Sequence, residues 1–130
     1  MKIAHIEKSS YIYGPGKRVV VWTQGCSIRC KGCRNKDMWD FEGGKNIGIT
    51  EIIELIKSDP ELEGITILGG EPFDQFEELK KLVNEISKNR ITLIIYTGYE
   101  LEEIYEKLFS EVLENIDILI SGRYIERLRC

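Results

Sequence analysis

Four short apolar runs, rich in β-branched residues, each stop at a turn containing glycine, and helical periodicity fills much of the chain between them. Val19 to Thr23 runs into Gln24 and Gly25, and Ile65 to Leu68 into Gly69-Gly70-Glu71-Pro72. Ile91 to Tyr96 stops at Thr97-Gly98-Tyr99, and Ile116 to Ile120 at Ser121-Gly122. Such runs read as buried strands. Between them, Ile52, Ile53 and Ile56 share one helical face behind a Thr50 cap, with Glu51 in the first turn and Pro60 past the end. Asp74 and Glu77 have capping-box spacing ahead of Phe76, Leu79, Leu82, Val83 and Ile86, and Leu101, Ile104, Tyr105 and Leu108 form a third inward set. Residues before Val19, Tyr11 to Tyr13 included, are candidates for an added edge strand.

Strands alternating with helices imply an α/β fold with right-handed crossovers and a mainly parallel sheet, so the strand C-termini share one edge. Four loops converge there: the cysteine loop, Gly-Gly-Glu-Pro, Thr-Gly-Tyr and Ser-Gly. This is where α/β proteins build sites. A closed eight-unit barrel needs roughly 250 residues, so a 130-residue chain holds about four units and stays open. The expected architecture is therefore an incomplete, open (β/α) barrel of about four to five mostly parallel strands with flanking helices. No repeat or linker divides it, and residues 1–130 read as a single domain.

Eighteen basic residues against 22 acidic ones give a net charge of -4, which repels a phosphate backbone and argues against nucleic-acid binding. The longest apolar stretches are too short to cross a bilayer, and the N-terminus has no signal-peptide core. A cytoplasmic location with no membrane partner is expected, and there the four cysteines stay reduced.

Three of those cysteines fall within eight residues, in the order Cys26-Ser27-Ile28-Arg29-Cys30-Lys31-Gly32-Cys33. The C-x3-C-x2-C spacing suits one compact metal centre. Three thiolates on a 4Fe-4S cluster leave one iron open to a small ligand. Zinc competes, but a structural zinc site needs a fourth protein ligand, here His5 or Cys130. A lone histidine more often has a structural role, and Cys130 reads as an incidental terminal thiol. The acidic run Glu100 to Glu106 reads as a solvated helix face, and Trp22 and Trp39 as packing residues.

The order of motifs resembles the radical S-adenosylmethionine superfamily, and within it the activating enzymes of anaerobic, glycyl-radical ribonucleotide reductase. The resemblance spans nearly the whole chain. It runs through Gly14-Pro15-Gly16, Gln24-Gly25, Cys30-Lys31-Gly32-Cys33-Arg34-Asn35, Trp39, Gly69-Gly70-Glu71-Pro72, Thr97-Gly98-Tyr99 and Asp117 to Gly122.

The resemblance implies that Cys26, Cys30 and Cys33 ligate a 4Fe-4S cluster. It implies that S-adenosyl-L-methionine chelates the open iron through its methionyl amine and carboxylate. Gly69, Gly70 and Glu71 would hold the ammonium. Gly32, Cys33 and Arg34 would lie along the nucleoside, with Thr97 and Tyr99 as further candidates, although a Thr-Gly-Tyr turn also serves simply as a helix cap. Gly32 stands where many members carry an aromatic residue, a departure that resembles the reductase-activating branch. No catalytic side chain is expected beyond these ligands. The implied reaction is reductive cleavage to a 5′-deoxyadenosyl radical, which places a glycyl radical on a large partner protein, anaerobic ribonucleotide reductase, with electrons from a low-potential donor. Alternatives are an activase for another glycyl-radical enzyme, a small-molecule radical enzyme, or a non-catalytic zinc or iron–sulfur module.

Overall fold

The computed structural model describes residues 1–28, 40 and 42–122. Six strands form one sheet: β1 Lys2–Ser10, β2 Arg18–Thr23, β3 Lys45–Asn46, β4 Gly64–Gly69, β5 Thr92–Tyr96 and β6 Ile118–Ile120. Their spatial order is β3-β1-β2-β4-β5-β6. β2, β4, β5 and β6 are parallel neighbours, while β1 pairs antiparallel with both β2 and β3. The α/β class and the parallel set therefore hold, and two antiparallel strands extend the sheet on one side. The strand expected before Val19 is β1, which lies earlier than Tyr11 to Tyr13 and ends at Ser10; it is not an edge, because β3 pairs on its outer side.

Three helices connect the strands: α1 Ile49–Lys57, α2 Phe76–Ile86 and α3 Leu101–Glu106. Side-chain alternation along the sheet explains how they pack. Val19, Val21, Ile65, Ile67, Leu93 and Ile95 are all buried in a core shared with Ile52, Ile53 and Ile56 of α1, Leu79, Leu82, Val83 and Ile86 of α2, and Ile104 of α3. Residues of the other parity, Arg18, Val20, Thr66 and Ile94, are also buried. The 11–17 loop lies against them. Tyr13 accepts the Thr66 hydroxyl at 2.9 Å, Pro15 accepts an Arg18 N–H at 3.1 Å, and Gly14 sits so close to Ile94 that a Cβ there would be 2.6 Å from its Cδ1.

Several local expectations change. Gly48, not Thr50, is the N-cap of α1, and Thr50 falls inside its first turn. Asp74 and Glu77 do not form a capping box, because a 3-10 turn over Pro72–Gln75 intervenes, with Glu71 as its cap and Gln75 capping α2. In α3 only Ile104 is buried, whereas Leu101, Tyr105 and Leu108 are 44%, 56% and 81% exposed. The helix ends after six residues and the chain turns at Leu108, whose φ is 62°, so Phe109 fills the inward position instead. Its ring stacks on Phe76 at 4.5 Å and on Phe73 at 5.8 Å. Trp22 packs outside the main cluster, half-buried, with His5 and Tyr13 each 5.3 Å away between ring centroids. Trp39 lies outside the described residues.

Candidate active site at the strand ends

The parallel strands deliver four loops to one edge, as expected, and hydrogen bonds join them in series. β2 ends at Thr23, which is buried and donates its hydroxyl to the Leu68 carbonyl at 3.1 Å. Gly25 then adopts φ 106°, a conformation glycine reaches without steric cost, and turns the chain into Cys26. Cys26 is 8% exposed. Cys30 and Cys33, with Gly32 and Arg34, lie outside the described residues, as does Cys130. Among the described residues no three His, Cys, Asp or Glu side chains are grouped to hold a metal ion.

The Gly-Gly-Glu-Pro loop runs directly alongside. Gly70 donates its N–H to Thr23 O at 2.9 Å, and Glu71 donates its own to Gly25 O at 2.7 Å. Gly69, at φ 128°, makes this possible, since a Cβ there would sit 2.3 Å from the Thr23 nitrogen and 2.5 Å from its oxygen. Gly69 thus permits the close approach of this loop to the end of β2.

Glu71 turns inward. Its carboxylate, 1% exposed, accepts the Phe73 N–H at 2.9 Å, the Thr97 hydroxyl at 2.8 Å and the Gly98 N–H at 2.7 Å. Burial pushes its pKa up to about 7; the three donors oppose the shift, and nearby Asp74 adds to it. This carboxylate joins two loops. The Thr97 hydroxyl also accepts the Tyr99 N–H at 3.1 Å, so the Thr-Gly-Tyr turn is built around Thr97, while α3 is capped by Glu100. The last strand joins through Thr97 N–H to Ile120 O at 2.8 Å and Gly122 N–H to Tyr99 O at 3.1 Å.

A second carboxylate completes the edge. Asp74 accepts the Ser27 N–H at 2.7 Å and the Ser27 hydroxyl at 3.1 Å, and Tyr99 donates its hydroxyl to the same carboxylate. Burial, then the Asp74 carboxylate, pushes the Tyr99 phenol up to about 12, so it remains a donor. Gln75 fixes the base of the cysteine loop by donating to Gln24 O at 3.2 Å and Lys2 O at 2.9 Å while accepting the Lys2 N–H at 2.7 Å. Ser27, Asp74 and Gln75 were not anticipated. Asp74 has a spacing that reads as a helix cap, and nothing in the chain order relates it to Ser27. His5 is engaged elsewhere, with Nε2 3.1 Å from a Glu7 oxygen.

The chain belongs to the 4Fe-4S single cluster domain family, whose model matches residues 12–129. It is similar to the anaerobic ribonucleoside-triphosphate reductase-activating protein of Enterobacteria phage T4, at 30% identity over 98% of this chain and 84% of that protein. It is also similar to the pyruvate formate-lyase-activating enzyme of Staphylococcus aureus strain USA300, at 28% identity over 88% of this chain. The chain spans about half, 49%, of that second relative's length. No described helix is long and apolar enough to cross a membrane.

Proposed function

We propose that this chain is a radical S-adenosylmethionine activating enzyme, with Cys26, Cys30 and Cys33 as the cluster ligands and anaerobic ribonucleotide reductase as its protein substrate. The observation that carries the reading is the 2.7 Å bond from Glu71 N–H to Gly25 O. It lays the Gly-Gly-Glu-Pro loop beside the residue that precedes Cys26, which supports a reading in which Cys26 ligates the cluster and this loop serves the methionyl group. The donor set fits the group. A shielded thiol at a loop start, with two more cysteines at short spacing, is what an incompletely ligated 4Fe-4S cluster requires.

A 4Fe-4S cluster held by Cys26, Cys30 and Cys33 would supply the low-potential electron for reductive cleavage of bound S-adenosylmethionine, the chemistry that would activate a glycine of the partner. The chain's own residues bind and orient. Gly69 and Gly70 expose backbone for the cofactor ammonium. Glu71, whose carboxylate is committed to Phe73, Thr97 and Gly98, serves the cofactor by shaping that backbone. Gly32, Cys33, Arg34 and Thr97 are the residues this reading assigns to the nucleoside. No side chain is asked to move a proton.

In this reading residues 1–130 act as one radical S-adenosylmethionine domain that receives a loop of the partner. The working compartment is a reducing cytoplasm with a low-potential electron donor. Nucleic acid and membrane are not partners, in keeping with the net charge of -4. The similarity to a pyruvate formate-lyase-activating enzyme favours a second reading, in which the partner is another glycyl-radical enzyme. Mixing the reconstituted protein with the reductase, S-adenosylmethionine and a reductant without oxygen tests the first reading. A glycyl-radical doublet in the electron paramagnetic resonance spectrum supports it. Its absence there, with a doublet on pyruvate formate-lyase, favours the second.

A further inference from the structure

We propose that Asp74 is a positioning residue for the cysteine loop, its carboxylate holding the residue after Cys26 in place; this rests on the site reading above. Three donors from two different loops meet on this one side chain. The Ser27 N–H lies 2.7 Å from Oδ2, the Ser27 hydroxyl 3.1 Å from Oδ1, and the Tyr99 hydroxyl also donates to Oδ1. Ser27 and Tyr99 hydroxyl oxygens are 3.0 Å apart, which closes a ring of contacts. Asp74 itself cannot wander. It sits in the 3-10 turn capped by the Glu71 carboxylate, and its own N–H donates to Glu71 O at 3.0 Å.

The N-cap position of α2 falls one residue later, at Gln75, so Asp74 does not occupy it. Hydrogen bonds to an ionised acceptor are shorter and about twice as strong as neutral ones, and a carboxylate has acceptor sites for all three donors. Ser27 is exposed and Asp74 half-exposed, so the bonds add little to global stability. Their effect is local. They fix the backbone that leaves Cys26, at Ser27. The Gly25 end of the same segment is fixed by Glu71 N–H. Cys26 is thus held from both sides, one bond from the Gly-Gly-Glu-Pro backbone and one from the turn behind it.

Asp74→Asn is near-isosteric but offers one acceptor oxygen in place of two and turns an N–H towards a donor. Asp74→Ser, too short to reach the Ser27 amide, is the companion variant should the first not fold. Two measurements on the full chain bear on the proposal. In metal-free protein, amide hydrogen exchange of the peptide covering Gln24 to Ile28 becomes at least tenfold faster in the variant, while the thermal midpoint moves by no more than about 2 °C. In protein reconstituted anaerobically with iron and sulfide, the variant's cluster absorbance bleaches about tenfold faster in a ferrous chelator. Tyr99→Phe, which keeps the Ser27 amide bond, changes bleaching by no more than two- to threefold.

Unchanged exchange in Asp74→Asn, or faster exchange with unchanged bleaching, overturns the positioning role while leaving the site reading intact. A wild-type chain that takes up no iron–sulfur cluster overturns the site reading itself, and with it this role. The exchange measurement, which needs no metal, separates that failure from a failure of the Asp74 contact.

Discussion

Glu71 and Thr97 sit on loops that follow neighbouring strands, and the Thr97 hydroxyl donates to the Glu71 carboxylate at 2.8 Å. The glutamate of the Gly-Gly-Glu-Pro motif is thereby an internal tie. It holds the second loop of the site against the third, with Gly98 N–H at 2.7 Å on its other oxygen.

That tie has a pH signature. Burial raises the Glu71 pKa to about 7 from 4.5 when solvated, so the folded chain binds this proton more tightly than the unfolded one. The associated stability is fully present below pH 4.5 and is lost as pH rises to about 7, a change on the order of 3 kcal/mol. Asp74 and the phenol of Tyr99 are the titratable neighbours, and neither removes the sign. Urea unfolding of the metal-free chain between pH 5 and 8 should show the stability advantage over Glu71→Gln shrinking as pH rises. Parallel curves would show that Glu71 is ionised throughout.

Gly69→Ala should cost about 3 kcal/mol or more. It combines a φ of 128° with a Cβ only 2.3 Å from the Thr23 backbone nitrogen, and neither strand can yield. Gly98→Ala should be milder, about 1 kcal/mol, since its one tight contact would be with the end of the Ile28 side chain, at 2.8 Å, while Glu71 Oε1 lies at 3.6 Å. Denaturant midpoints of the two variants check the order.

Arg18 is fully buried and aims its guanidinium at neutral acceptors: Thr66 Oγ1, Pro15 O, Thr92 Oγ1, Ile65 O and Thr92 O. Burial lowers its pKa, with Asp117 and Glu63 opposing at a distance. Lysine has three donors for these five acceptors and no planar fork, so Arg18→Lys should lose about 2 kcal/mol or more. Equal urea midpoints for the two proteins would contradict this reading of the Arg18 contacts.

The parallel core was legible because its strands are buried on both faces and therefore read as unbroken apolar runs, Val19 to Val21 and Leu93 to Ile95 being the clearest. β1 was harder to see. His5, Glu7, Lys8 and Ser9 are exposed, so its apolar signal falls to Ile3 and Ile6. α3 misled because helical spacing assigns Leu101, Tyr105 and Leu108 inward, whereas the helix stops and Phe109 takes the core position. At the site, the glycine loop and Cys26 were visible as motifs. The roles of Asp74 and Glu71 were not, because a carboxylate's partners across 47 or 26 residues leave no local pattern.

Cys26→Ser should retain the fold, since the substitution is nearly isosteric, and should abolish stable cluster uptake, read as loss of absorbance near the visible iron–sulfur band after anaerobic reconstitution. A full complement of iron and sulfide in this variant would remove Cys26 from the ligand set.

The most direct test is anaerobic reconstitution of the unaltered chain with iron and sulfide, followed by reduction in the presence of S-adenosylmethionine and chromatography for 5′-deoxyadenosine. The account predicts about four irons per chain and release of 5′-deoxyadenosine with methionine. Tight zinc in place of iron, or a full cluster that leaves S-adenosylmethionine uncleaved under strong reduction, would contradict it.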